Sequence, residues 1–128
     1  VKPVDDAFDW VSARAACSLL SVFQILGERV RTDVDIANRA PGSKRRFRVA
    51  IDPLKIVVAR THPAEEAANI VFELCATDVA VRKGASAQLF RARPALNEDG
   101  ECLLEVDGQT LRLWQVSRKA LEDLMFGD

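Results

Sequence analysis

Histidine occurs once in this chain, at His62 before Pro63, and that scarcity removes several chemistries at the outset. A nucleophilic triad needs an imidazole base beside a recognisable nucleophile, and the sequence around His62 supplies none. Structural zinc needs closely spaced Cys/His pairs, yet Cys17, Cys75 and Cys102 show no C-x-x-C spacing. Their odd number and apolar surroundings argue for small core residues rather than a disulfide framework. There is no G-x-x-x-x-G-K-[ST], no G-x-G-x-x-G and no H-E-x-x-H. The acidic pairs Asp5-Asp6 and Glu65-Glu66 read as solvated charges at a helix start and in a loop. Aromatic residues make up 6% of the chain, too few to stack bases along a nucleic acid. No apolar run reaches the roughly 18 residues of a membrane span. The most hydrophobic window, 15–26, contains Ser18, Ser21 and Gln24, and the preceding Asp5, Asp6 and Asp9 have the wrong charge for a signal peptide, so the expectation is a cytoplasmic protein. The expectation is a non-enzymatic chain with no metal, no cofactor and no nucleic-acid partner.

Between Val4 and Ala40 proline is missing too, and apolar residues recur there at steps of three or four: Phe8, Val11, Ala15, Leu19, Phe23, Leu26, Val30, Val34 and Ala37. Asp6 is placed to cap this segment and Asp9 to sit in its first turn. One continuous helix of roughly 33 residues would span about 50 Å, whereas a globule of this length is roughly 36 Å across. Such a helix overhangs its domain. Its seam of Leu19, Phe23, Leu26, Val30, Val34 and Ala37 then needs cover from another copy, in a coiled-coil assembly of two to four chains. The alternative is a break at Gly27, a residue about 1 kcal/mol worse than alanine inside a helix.

Pro41 and Gly42 end the helical pattern, and the period switches to two. Phe47, Val49 and Ile51 alternate with polar or small residues up to the turn at Asp52-Pro53. Runs at 55–60, 70–74, 79–81, 89–92 and 102–106 follow, and Asp107-Gly108 is a strong hairpin signal leading to Leu111 and Leu113. Ser117 is placed to cap a last helix over 118–126. The reading is α+β: a small antiparallel barrel of six or seven strands over 44–128, with a long N-terminal helix over 1–43 and a short C-terminal one.

Formal net charge is −1, but residues 44–93 carry 10 basic and 5 acidic side chains while 94–128 carry 3 and 8. The basic excess is sharpest at Lys44, Arg45, Arg46 and Arg48, where guanidinium groups at a strand entry suit phosphate. Basic residues also solubilise strand edges without binding anything.

The stretch from Lys44-Arg45-Arg46-Phe47-Arg48 through Asp52-Pro53-Leu54-Lys55-Ile56-Val57 resembles the opening of a PilZ domain, with its R-x-x-x-R entry into a strand. Glu73-Leu74-Cys75-Ala76-Thr77-Asp78 is the best match to that family's second motif, [D/N]-x-S-x-x-G, and the tail resembles the family's ending. The resemblance implies a bacterial antiparallel barrel that binds cyclic di-GMP. Here Lys44 replaces the first arginine, and Glu73, Cys75 and Asp78 replace all three fixed positions of the second motif. An aspartate in place of glycine adds bulk and repulsion where backbone must approach phosphate. The expected function is a PilZ-like signalling scaffold that self-associates, contacts another protein and does not bind the nucleotide. The alternative is a cyclic di-GMP receptor using Arg45, Arg46 and Arg48.

Overall fold

Helix formation starts at Asp9, whose carboxylate accepts from the Ser12 backbone N–H at 3.0 Å and from its hydroxyl at 2.6 Å. Those two bonds hold the Asp9 carboxyl below the usual carboxylate range. The computed structural model describes residues 7–65, 68–85 and 87–127. Asp5, Asp6 and Glu66, expected as a cap and as carboxylate pairs, lie outside those residues. Helix α1 (Trp10–Ala16) ends at Cys17, and Ser18 caps a second helix, α2 (Leu19–Arg39), by accepting from the Ser21 N–H.

The single long helix is therefore corrected to two, bent by 62° at a break eight or more residues before Gly27. The chain turns there because Cys17 is buried and bonded to Cys102, a pairing contrary to the free cysteines expected. At 21 residues, α2 is about 31 Å long, shorter than the body it crosses. Nothing is left to overhang.

Gly27 lies inside α2 and is buried. A methyl group added to it would meet Ile56 Cδ1 at 3.5 Å and Ile51 Cδ1 and Cγ2 at 3.7 Å, all ordinary contacts. Gly27→Ala is therefore expected to stabilise the protein by about 1 kcal/mol, the helix-propensity difference, as an increase in urea midpoint.

The alternating segments form seven strands: β1 (Arg46–Ile51), β2 (Lys55–His62), β3 (Asn69–Leu74), β4 (Val79–Lys83), β5 (Ala87–Leu96), β6 (Cys102–Val106) and β7 (Gln109–Leu111). Each pairs antiparallel with the next, in the order β1 to β7. The sheet is open rather than the closed barrel expected. Closure is unnecessary because α2 and the C-terminal helix α3 (Leu113–Phe126) share one buried cluster with the sheet. Strand β5 turns the sheet by pairing β4 through its first half and β6 through its second. Pro94 falls in that second half, where β5 has a neighbour on one side only and a missing N–H is tolerated.

Local chemistry explains the turns. Asp52 Oδ1 accepts from the N–H groups of Leu54 and Lys55, both at 2.8 Å, which reverses the chain between β1 and β2. Asp107 and Gly108 both have positive φ, as a tight hairpin requires.

The residues expected to meet another copy are covered within one chain. Phe23, Val34 and Ala37 are buried, Leu26 and Val30 are fully so, and Leu19 packs against the same cluster. Over 19–39 the expected appendage is thus part of the core. Ser117 is also corrected: α3 starts five residues earlier than expected, with Arg112 at its N-cap, and the buried Ser117 hydroxyl donates to Asp33 Oδ2 at 2.6 Å, joining α3 to α2.

Candidate functional site

Four cations at the entry to β1 were the sequence's strongest candidates for a ligand, and their environments differ. Arg45 reaches across to the C-terminus of α3, donating to the Leu124 carbonyl at 3.0 Å and also to the Gly127 carbonyl. A guanidinium satisfies the carbonyls that a helix end leaves without partners and complements the negative end of the helix dipole. Arg45 is thus a fastening between β1 and α3. Arg46 folds onto its own turn, donating to the Ser43 and Arg45 carbonyls at 2.9 and 2.8 Å. Lys44 and Arg48 are exposed.

The second set, Glu73, Cys75 and Asp78, sits around the turn between β3 and β4. Glu73 lies between Lys55 at 3.6 Å and Arg82 at 3.3 Å. Asp78 pairs with Arg91 at 2.8 Å, which raises the Arg91 pKa further. Cys75 is the free thiol among the described cysteines, and its N–H donates to the Asp78 carbonyl at 2.9 Å.

Register decides whether the two sets can share a ligand. Arg48 is opposite Ala59, Ala59 is opposite Asn69, and Glu73 is four residues further along β3. At about 3.3 Å per residue that is roughly 13 Å along the strands, with two inter-strand spacings across. The structure does not bring them together. A polar recess of about 280 Å³ beside Arg45 is lined by Arg60, Glu65 and Lys83 and by nothing from the second set. Arg60 is itself committed, to Glu65 at 2.6 Å and to the Pro63 carbonyl at 2.9 Å.

A different surface gathers exposed apolar groups. Between α2 and α3 runs a groove of about 300 Å³ whose walls include Ile36, Ala37, Leu121, Met125 and Phe126. Ile36 is 54% exposed, Trp114 47% and Phe126 70%, and all three border this groove. The Ser117–Asp33 hydrogen bond joins its two walls. Large apolar side chains left in water beside a groove mark a contact surface more than a solvated face does.

Sequence reasoning had assigned Ile36 no role, because it sits off the α2 stripe, and had excluded Trp114 from the last helix by starting that helix too late. The available signal was the row Trp114, Arg118, Glu122 and Phe126, spaced four apart.

Among the described residues no three His, Cys, Asp or Glu side chains gather to hold a metal ion, and no single helix is long and apolar enough to cross a membrane. Comparisons with family models, curated proteins and solved structures gave no significant match.

Proposed function

We propose that this chain is a non-enzymatic interaction module that assembles with copies of itself through the surface formed by α2 and α3. The observation that carries the reading is the convergence of Ile36, Trp114 and Phe126, exposed at 54, 47 and 70%, on one groove. Self-association was expected from the sequence through the α2 seam; the face now favoured is α2's flank together with α3. A cyclic di-GMP role is disfavoured because Arg45 is committed to the α3 carbonyls and the second motif is remote from Arg48. Remote PilZ kinship draws support from seven antiparallel strands followed by a helix, and is opposed by the open, sequential strand order. The Cys17–Cys102 bond favours an oxidising compartment over the cytoplasmic one expected from the sequence.

Light scattering on the oxidised protein tests this reading. The expected mass is a small multiple of 14.1 kDa at micromolar concentration. A mass of one chain up to the highest soluble concentration overturns it.

A further inference from the structure

Helix α3 presents Trp114, Arg118, Glu122 and Phe126 at successive intervals of four. Such a row is one of the ridges by which helices pack, and ridges of this type interdigitate in the commonest helix-packing class. All four side chains are exposed: Trp114 by 47%, Phe126 by 70%, and the Arg118 and Glu122 side chains by 64 and 54%. Beside the ridge lies the α2–α3 groove, so each chain carries both a projection and a slot.

The order of the ridge is apolar, positive, negative, apolar. Reversed end for end, it becomes apolar, negative, positive, apolar, which is its own complement. We infer that a second copy of this chain docks antiparallel on α3 about a two-fold axis that passes midway between Arg118 and Glu122, with Trp114 facing Phe126 of the second copy and Arg118 facing Glu122 of the second copy. A two-fold contact must be self-complementary, because each residue pair occurs twice with roles exchanged. This ridge meets that condition in both charge and apolar character. A parallel arrangement would set Arg118 against Arg118. A foreign partner would require no such relation between the two ends of one helix, and so the occupant is a second copy. Seating each ridge in the other chain's groove also covers Ile36.

In the single chain Arg118 Nε donates to Glu122 Oε2 at 2.6 Å across one helical turn. In the pair of chains that bridge widens into a four-charge square of alternating sign. Asp33 of α2 also lines this groove, where it accepts from Ser117 and lies 4.0 Å from Arg29.

This inference rests on the self-association proposed above and adds its geometry. The test uses full-length oxidised protein and sedimentation equilibrium. Arg118→Glu gives a ridge with two negative charges, and Glu122→Arg gives one with two positive charges. Each variant alone is expected to dimerise roughly tenfold more weakly than the parent, the consequence of turning two exposed ion pairs into two repulsions. Mixed one to one, they are expected to form a heterodimer at parental strength, and the double variant Arg118→Glu/Glu122→Arg to recover as a homodimer. Thermal melts matching the parent establish that the variants fold. Single variants that dimerise as tightly as the parent, or a mixture that stays dissociated, overturn the antiparallel α3 contact while leaving self-association standing. A parent that is monomeric throughout overturns both.

Discussion

Leu26→Ala is expected to destabilise this protein by about 2–5 kcal/mol, the range for deleting a fully buried leucine. The penalty is expected to be the same at every protein concentration. Leu26 is 0% exposed within one chain, in the cluster that holds Val30 of α2, Ile56, Val58 and Phe72 of the sheet and Leu121 of α3. Truncation removes apolar surface from that cluster and leaves a cavity whose lining loses its contacts. Urea unfolding of parent and variant at two concentrations at least tenfold apart measures both parts of the expectation. Had α2 been the contact between copies, the penalty would include lost association and would grow with concentration. A concentration-dependent difference would return Leu26 to the interface. The contrasting variant is Ile36→Ala, on the exposed flank of the same helix, which is expected to shift unfolding by about 0.5 kcal/mol or less while weakening association.

That contrast also shows how far the sequence could be read. Alternation of Phe47 with Val49, of Ile70 with Phe72 and Leu74, and the Asp107-Gly108 turn are local signals, and each maps onto a strand or hairpin in the fold. An apolar stripe is different in kind. Periodicity shows that Phe23, Leu26, Val30 and Val34 need cover, but not whether it comes from a sheet folded back along the chain or from another molecule. The sheet prevails because the α2 break at Cys17–Ser18 shortens the helix to the span of the body.

Three further features were hidden because no motif announces their partners, and two of the three pair with residues far away in sequence. Ser117 has the residue type of a cap, but its partner Asp33 is 84 positions earlier. Arg45 looked like a phosphate ligand, and its partners are backbone carbonyls 79 and 82 positions later, which no side-chain motif announces. Asn38 reads as a polar residue near a helix end, yet its side chain pairs with both backbone groups of Phe47 at 2.9 Å and fixes α2 against the start of β1. The α3 ridge, by contrast, was legible as spacing. Only the misplaced start of α3 concealed that Trp114 belongs to the same row as Phe126.

Breaking the Cys17–Cys102 bond is expected to have the largest effect of any change away from the core. The two residues are 85 positions apart, and a cross-link closing a loop of that size restricts the unfolded chain by about 4–5 kcal/mol in the chain-entropy account, with 2–5 kcal/mol typical when a native disulfide is removed. Domains of this kind are stable by only about 5–15 kcal/mol, so the melting temperature is expected to fall by roughly 10–20 °C in the Cys17→Ser/Cys102→Ser double variant or on reduction. The loss has a local component as well. Helix α1 buries no side chain, and it is tied to the body by the bond at its C-terminal end and by the Phe8 ring seated on Gly100. Hydrogen exchange is therefore expected to quicken over 10–16 before it does in β2 or β3, whose central residues Ile56, Val58 and Phe72 are fully buried. Cys75→Ser serves as the control, since Cys75 is unbonded and half-buried at the β3–β4 turn; its melt is expected to stay close to the parent's. Thiol titration of the unreduced, denatured protein should find one reactive cysteine. Three reactive thiols, or a melting temperature indifferent to reductant, would remove the bond and with it the case for an oxidising compartment.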